Sequence, residues 1–328
     1  MIRVCVIGLE VAGSLRADVY RGDELAEVVG MCDVNPQRLH AAAARLGVAA
    51  FADLGEMLDA LRPDLVSVCV EGDAVAPVRQ ALQAGCHVLC EAPLAQEVRQ
   101  ARDMVAAARA HSLCLAVNFN LRFTPAALKA KQWLEEGRLG TPLFINTTLW
   151  SGPNEASSDD AESLWRLAHH GLDLIRWLCG DIARLQCFAV KTPQRETWSS
   201  AQINLETAAG VVGNLTVSRD MATRHPLARC EVAGTTARLV IDNIYEEIAL
   251  YPHASEEKTI ITNSIFGGLG GYEDTHRCRL ERLLEQLEAG VAPDEIEGSG
   301  AQALLAHLAV EAARMSLESG EVVGVASL

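Results

Sequence analysis

The sequence predicts two domains of different architecture, an α/β domain over residues 1–119 and an α+β domain over residues 120–328. A chain of 328 residues has the length of two ordinary domains. Short apolar runs alternate with helical periodicity as far as residue 117, and strand-like alternation dominates from residue 183. A hydrophobic fraction of 49% excludes a disordered or collagen-like chain.

The first domain alternates strictly between two periodicities. The predicted strands are 3–8, 26–32, 65–70, 87–90 and 114–117. The predicted helices are 11–21, 36–46, 53–61, 76–84 and 96–110. Nearly continuous apolar strands that alternate with helices are typical of a parallel sheet covered on both faces. Right-handed crossovers then give a doubly wound, Rossmann-like domain.

The pattern changes after residue 125. The predicted helices are 126–136, 163–179, 272–288 and 300–319. The predicted strands are 142–150, 184–191, 199–206, 211–217, 228–232, 238–241 and 247–251. Short turns between the later strands favour a mostly antiparallel meander. The exposed face of such a sheet favours a homodimer or homotetramer over a monomer.

Charge and composition exclude several classes of protein. The net charge is −15, from 28 basic and 43 acidic residues, which disfavours nucleic-acid binding. No run of eighteen apolar residues predicts a membrane span, and no signal peptide is visible, so a cytoplasmic location is expected. The ten cysteines form no C-x-x-C pair. We expect buried, reduced thiols and no metal site.

A glycine-containing turn, GLEVAG at 8–13, links the first strand to the first helix. The dinucleotide fingerprint G-x-G-x-x-G has the same spacing, and Gly8 and Gly13 match its first and third glycines. Glu10 replaces the second glycine, whose absence of a side chain lets the backbone approach the pyrophosphate. At an effective dielectric of about 20, like charges about 4 Å apart repel by roughly 4 kcal/mol. Gly8, Glu10, Val11 and Gly13 are the predicted cofactor-binding residues of this turn.

Asp33 ends the second strand, twenty residues after Gly13. An acidic residue at this position binds the adenosine ribose hydroxyls and favours NAD over NADP. The alternative is a solvated Asp at the end of the strand that starts the next helix.

Four segments resemble one family. Residues 80–95 read QALQAGCHVLCEAPLA, similar to A-L-x-A-G-K-H-V-x-x-E-K-P-L-A of the Gfo/Idh/MocA oxidoreductases, named for glucose-fructose oxidoreductase and inositol dehydrogenase. NLRF at 120–123, GRLGTP at 137–142 and HGLDLIRWLCG at 170–180 are similar to the family's N-x-R-F, G-x-I/L-G and H-x-x-D-x-x-x-W-L-x-G. The resemblance covers nearly the whole chain.

This resemblance implies NAD(P)-linked hydride transfer at a hydroxylated carbon of a sugar or cyclitol, and an open-faced sheet in the second domain. His170 lies at the family's histidine position and is the predicted general base, with Asp173 on the same helix face. Arg122 is a candidate catalytic residue. For His170 a helix-face histidine paired with its own helix is the alternative, and for Arg122 a structural role.

Other residues are assigned to substrate or to the cofactor. Asn120, Trp150 and Arg166 are candidate substrate contacts, with packing or surface positions as alternatives. Glu91 and Pro93 are predicted to shape the backbone beside the cofactor. His276 has no partner at helical spacing and is interpreted as structural or at the surface.

The chain departs from the family pattern at four places. Glu10 replaces a fingerprint glycine, Ala92 replaces the lysine of E-K-P, and Arg166 stands where the family has an Asp. The loop at 70–74, VEGDA, lacks the family's histidine. Two hypotheses follow: an NAD(P)-dependent oxidoreductase whose proton relay runs through His170, or a catalytically inactive or non-redox pseudoenzyme, with or without a bound cofactor, that partners an active paralogue or binds a ligand.

Overall fold

A computed structural model describes residues 1–70, 72–152, 162–193, 195–221, 227–244, 246–262 and 269–328. The chain forms two compact units, residues 1–120 with 273–304 and residues 121–272 with 305–328. The domain bounds 1–119 and 120–328 drawn from the sequence stay a prediction. In the structure, segment 273–304 packs within the first unit.

The first unit contains a six-stranded parallel sheet of order β3-β2-β1-β4-β5-β6. Its strands are β1 Ile2–Ile7, β2 Ala26–Cys32, β3 Ala49–Phe51, β4 Leu65–Val68, β5 His87–Cys90 and β6 Leu115–Val117. Its connecting helices are α1 Val11–Gly22, α2 Pro36–Leu46, α3 Leu54–Leu61, α4 Val75–Gln83 and α5 Val98–Ala110. The strand order reverses between β1 and β4, and ligands of doubly wound sheets bind at the carboxyl ends of the strands at such a point. The predicted Rossmann-like architecture is confirmed.

Local signals explain why these elements form where they do. The side chain of Asn35 accepts hydrogen bonds from the N–H groups of Gln37 and Arg38, and Pro36 begins α2. On α1 the buried positions include Gly13, Arg16 and Tyr20, which recur at helical spacing. The short edge strand β3 was not predicted, because its two alanines are exposed and give no alternating pattern.

The second unit contains a nine-stranded sheet of order β14-β13-β12-β11-β7-β10-β9-β8-β15. Its strands are β7 Pro142–Trp150, β8 Ile182–Val190, β9 Ser200–Thr207, β10 Val212–Ser218, β11 Leu227–Gly234, β12 Ala237–Asn243, β13 Glu247–Pro252, β14 Thr259–Thr262 and β15 Val323–Gly324. The remaining helices are α6 Pro125–Glu135, α7 Ser163–Cys179, α8 Leu269–Glu288 and α9 Gly300–Ser319. Short 3-10 turns lie at Asn120–Phe123 and Val325–Ser327.

This sheet is mostly antiparallel, as predicted, and contains one parallel pair of strands. β7 and β10 pair in parallel, while the other pairs are antiparallel. The chain leaves β7 through α7, which packs on both β7 and β10. Gly171 lets the helix approach closely, since a Cβ there would lie 2.6 Å from a methyl group of Leu215. Local patterns contain no signal for this parallel pairing of distant strands.

All ten cysteines are free thiols, and nine are buried. Burial raises the pKa of the Cys90 thiol to about 12, so this group is protonated at neutral pH. Within the part of the chain that the structure describes, no helix combines the length and apolar character needed to cross a membrane.

Candidate functional site

The turn between β1 and α1 lies at the carboxyl edge of the parallel sheet and is fixed by its backbone. The N–H of Gly8 donates to the carbonyl of Cys32 over 3.0 Å, and the N–H of Cys69 donates to Ile7 over 2.7 Å. Gly8 has a φ of +78°, and a Cβ there would lie 2.6 Å from the carbonyl oxygen of Cys69. A Cβ at Gly13 would lie 1.7 Å from the carbonyl oxygen of Gly8. Both glycines therefore have the roles that the fingerprint requires, a tight turn and close helix packing.

Glu10 is the N-cap residue of α1, and its carboxylate forms an ion pair with Arg38 of α2. The Nη2 of Arg38 also donates to Oδ1 of Asp33 over 3.3 Å. The guanidinium offsets the charge that was expected to oppose the pyrophosphate. We call Glu10, Arg38 and Asp33 the β2-edge triad.

Asp33 is largely enclosed at this edge, with 2% of its side chain exposed. Its Oδ2 accepts a hydrogen bond from the N–H of Leu9 over 2.6 Å, and its Oδ1 accepts from Asn35 over 2.7 Å. Asp33 therefore ties the glycine turn to the end of β2. An ionised carboxylate has about four acceptor positions, so the predicted ribose contact is compatible with these bonds and stays a prediction.

A polar cluster lies just after β5 and β6 in the same unit, and its members are buried except for Glu91, whose side chain is 34% exposed. The guanidinium of Arg16, which is fully buried, is paired with Glu91, and its Nη1 donates to Ser67 over 3.1 Å. Oε2 of Glu91 accepts from Nδ2 of Asn118 over 3.0 Å. The same amide nitrogen lies 3.4 Å from Nδ1 of His276, which is buried.

Glu91 precedes Ala92 and Pro93, whose peptide bond is cis, so the cluster fixes the start of the predicted E-K-P segment. The sequence predicts no partner for His276 at helical spacing, and the neighbour that it has in the fold, Asn118, is 158 positions away in the sequence.

The side chains predicted near the domain junction bind partners within their own units. Nδ2 of Asn120 donates to Oγ1 of Thr275 over 3.1 Å in the first unit. In the second unit Nε of Arg122 donates to Oδ2 of Asp173 over 2.6 Å, and Nη2 of Arg122 donates to Oδ1. The Arg122–Asp173 pair is thus bidentate and buried.

Helix α7 presents two adjacent histidines in different environments. His169 is buried, its Nδ1 lies 2.8 Å from the carbonyl oxygen of Trp165, and its Nε2 lies 3.2 Å from Nδ1 of His307. Burial and the neighbouring His307 hold the pKa of His169 well below its usual value. His170, the predicted base, is half-buried on the same helix.

Two of the remaining candidates, Trp150 and Arg166, lie at the end of β7 and near the start of α7. Trp150 ends β7 and is half-buried, opposite Leu227 of β11 and Ser218 of β10. Arg166 lies in the first turn of α7, and its N–H donates to the carbonyl of Glu162 over 2.8 Å. Part of the 70–74 loop, residue 71, lies outside the described residues.

Sequence reasoning missed two arginines that bind acidic residues of the first unit: Arg38, which pairs with Glu10 and Asp33, and Arg16, which pairs with Glu91. Arg16 follows Gly13 by three positions on a buried helix face, and a charged residue in such a stripe is an available sign of a buried partner. Arg38 lies at an ordinary helix position, and nothing in the local pattern pairs it with Glu10.

The parallel sheet, with a glycine turn where the strand order reverses, defines a Rossmann-type nucleotide-binding unit. Residues 2–119 match the oxidoreductase family with an NAD-binding Rossmann fold, GFO_IDH_MocA. Residues 127–240 match the GFO/IDH/MocA C-terminal domain. The chain belongs to the Gfo/Idh/MocA oxidoreductase family, which confirms the resemblance found in the sequence.

Individual relatives show the same relationship. D-apiose dehydrogenase of Paraburkholderia graminis is 31% identical over 174 residues, which are 51% of this chain and 46% of that protein. The chain therefore aligns with less than half the length of this relative. Myo-inositol 2-dehydrogenase of Thermotoga maritima is 23% identical over 98% of this chain and 100% of its own. An oxidoreductase from Agrobacterium radiobacter, solved with NAD+, L-tartaric acid and magnesium, has the same fold, with a TM-score of 0.89, 21% identity and 99% coverage of both chains.

Proposed function

We propose that this protein is an NAD-dependent dehydrogenase that oxidises a secondary hydroxyl group of a sugar, a cyclitol or a related small molecule. The observation that carries the proposal is the glycine turn of Gly8 and Gly13, whose backbone is fixed at the carboxyl edge of the parallel sheet. The names of the relatives, D-apiose dehydrogenase and myo-inositol 2-dehydrogenase, support the substrate class.

The same turn supports the cofactor assignment. The backbone of the turn that contains Gly8, Glu10, Val11 and Gly13 would hold the pyrophosphate at the N-terminus of α1, where the helix dipole favours anions. Asp33 would bind the ribose, and Glu91 and Pro93 would shape the backbone nearby. A bound nicotinamide supplies the hydride acceptor of the reaction.

Proton transfer needs a group other than residue 92, because an alanine side chain carries no exchangeable proton. We propose His170 as the general base that takes the hydroxyl proton, since an imidazole has a pKa close to neutral pH. Arg122 and Asp173 bind each other through both carboxylate oxygens. We therefore propose that they position α7 and do not themselves move a proton. Asn120, Trp150 and Arg166 stay candidate substrate contacts.

Cofactor binding and turnover test this proposal separately. Calorimetric titration with NAD should show saturable binding, and a panel of sugars, cyclitols and polyols should include a substrate that forms NADH in stoichiometric amounts. Loss of a general base costs about 10²–10⁴-fold in rate, so His170→Asn should lower kcat by that factor and leave NAD affinity unchanged. His253→Gln, at an exposed turn position, is the matched control and should retain full activity. Absence of NAD binding in the folded protein would refute the proposal.

A second candidate function rests on Ala92, which removes the proton-transferring amine of the family motif. In this alternative the chain is a catalytically inactive relative that binds a ligand or partners an active paralogue. Tight NAD binding without turnover of any member of the panel, together with co-purification of a second oxidoreductase chain, would support it. Stoichiometric NADH formation by the isolated chain would exclude it.

We further propose a homo-oligomeric, cytoplasmic protein. Exposed apolar side chains share one face of the nine-stranded sheet, namely Phe144, Phe188, Val190 and Val212. Solvent contact of these side chains is unfavourable, and a second copy of the chain would cover them. Sedimentation equilibrium should give the mass of a dimer or tetramer, and a monomer mass at micromolar concentration would refute this part.

A further inference from the structure

The β2-edge triad contains one guanidinium and two carboxylates, and only part of it is open to solvent. Glu10 and Arg38 have side chains that are 34% and 37% exposed, whereas the Asp33 side chain is 2% exposed. The more accessible carboxylate is therefore that of Glu10, and the accessible cation is Arg38.

In Rossmann-type sites the end of the second strand distinguishes the two nicotinamide dinucleotides. An acidic residue there binds the ribose 2′-hydroxyl of NAD, and a nearby arginine accommodates the 2′-phosphate of NADP. This chain has both residue types at that place, since Nη2 of Arg38 lies 3.3 Å from Oδ1 of Asp33. The acidic residue and the arginine therefore favour opposite cofactors.

Glu10 occupies the arginine of this pair of residues. Its carboxylate is paired with Nη1 of Arg38, so the guanidinium is already engaged by an internal anion. A 2′-phosphate would have to displace that carboxylate and would meet two negative side chains around one positive side chain. NAD, which has a hydroxyl group at this position, requires neither change.

We propose that Glu10 is a specificity-determining residue that excludes NADP by withholding Arg38 from the 2′-phosphate. The inference rests on the proposed function, in that it assumes a nicotinamide dinucleotide at this edge. It differs from the expectation drawn from the fingerprint alone, in which Glu10 opposes the pyrophosphate. The pyrophosphate is common to both cofactors, so that expectation predicts equal effects on NAD and NADP.

The test is calorimetric titration of the full chain and of Glu10→Gln, which removes the charge and keeps the shape. The probes are NAD, NADP and the half-cofactors 5′-AMP and adenosine 2′,5′-bisphosphate. Glu10→Gln should bind NADP and the bisphosphate about tenfold more tightly than the wild type, which corresponds to about 1.4 kcal/mol. Affinity for NAD and 5′-AMP should change by less than about threefold.

Two further variants make the result specific. Asp18→Asn removes one negative charge from an exposed ion pair with Arg45 in the same unit, and it should leave the ratio of NADP to NAD affinity unchanged. In an Arg38→Met background the Glu10→Gln substitution should give less than a threefold gain for NADP, because the released guanidinium is absent.

Equal gains for NAD and NADP, or no change for either, would overturn this inference and leave the proposed function intact. Failure of the folded wild type and of Glu10→Gln to bind any of the four probes would overturn both. NAD binding without turnover would affect only the proposed function.

Discussion

Two arginine–carboxylate pairs, one in each compact unit, differ in their exposure to solvent. The side chains of Arg122 and Asp173 in the second unit are 3% and 1% exposed, and the bond between them is bidentate. The side chains of Glu10 and Arg38 in the first unit are each about one-third exposed. The two pairs have the same chemistry and differ in access to water.

Because of this difference in exposure, we expect one pair to matter for stability and the other for ligand recognition. A charge left without its partner inside the protein has no water to solvate it, so breaking a buried pair is strongly destabilising. A charge at the surface is solvated when its partner is removed, and an exposed pair contributes little to stability. Removing one partner should therefore destabilise the second unit when the pair is the buried one, whereas the open pair is accessible to a ligand.

The largest expected effect is that of removing Arg122. Arg122→Ala should lower the free energy of unfolding by about 3–5 kcal/mol, because Asp173 would lose its bidentate partner and, among the described residues, keep only the guanidinium of Arg176, 4.0 Å away. Arg184→Ala is the matched control, since Arg184 and Glu206 form an exposed ion pair on the sheet of the same unit, and its cost should stay below about 1 kcal/mol. Urea unfolding of both variants measures the difference. Equal costs would show that burial does not distinguish the two kinds of pair.

The next effect concerns the backbone beneath the open pair. Gly8→Ala places a side chain at a positive φ and 2.6 Å from a carbonyl oxygen, whereas Gly47 has a similar φ of +72° with no neighbour within 4 Å. A positive φ alone costs an L-residue roughly 1–2 kcal/mol. Gly47→Ala should lower the free energy of unfolding by about 1–2 kcal/mol, and Gly8→Ala should lower it further. Only Gly8→Ala should lose NAD binding. If thermal unfolding showed equal losses of stability for the two variants, the close contact between residue 8 and the carbonyl oxygen of Cys69 would be contradicted.

A third prediction concerns the two neighbouring histidines of the second unit. Burial, with a smaller contribution from Arg314 opposed by Glu162, lowers the pKa of His307 to about 4. The pKa of its neighbour His169 is also well below its usual value, with burial as the main cause. Both values lie below the pKa of about 6.5 that histidine has in an unfolded chain.

The unfolded chain therefore binds more protons than the folded chain between pH 6.5 and about 4. The stability contributed by these neutral imidazoles is complete above pH 6.5 and is lost as the pH falls, by up to about 1.4 kcal/mol per pH unit for each proton. Between pH 6 and 5 the variant His307→Gln should lose about 1 kcal/mol less stability than the wild type. Parallel losses in denaturant titrations at the two pH values would contradict this, and exposed His253→Gln should follow the wild type.

Much of the fold could be predicted because its signals are local. Strands 26–32 and 87–90 and helix 36–46 have the predicted bounds. Asn35, Pro36 and Gly47 explain this for α2, since a capping side chain, a first-turn proline and a left-handed C-cap are all encoded next to the helix. Gly8 and Gly13 were likewise predictable, because the turn and the close packing that require them lie within one short motif.

Contacts between distant positions could not be predicted in this way. Glu10 and Arg38 are 28 positions apart, and Asn118 and His276 are 158 apart. A single sequence contains no periodicity that joins such residues. The parallel pairing of β7 with β10 depends on the same kind of distant contact. The environment of Glu10 was misjudged for this reason: its motif position shows a carboxylate at the turn, and only the fold shows the arginine beside it.

The smallest expected effect tests the open pair itself. Glu10→Gln removes one charge from a pair that is about one-third exposed, so solvent can replace most of the lost interaction. The free energy of unfolding should change by less than about 1 kcal/mol, and added salt should reduce the change further because it screens exposed charges. A fall of about 3 kcal/mol or more in the free energy of unfolding is expected for a buried pair. Such a fall would show that Glu10 stabilises the turn, in the way that Arg122 and Asp173 stabilise the second unit. A small loss together with altered NADP affinity would separate recognition from stability at this edge of the sheet.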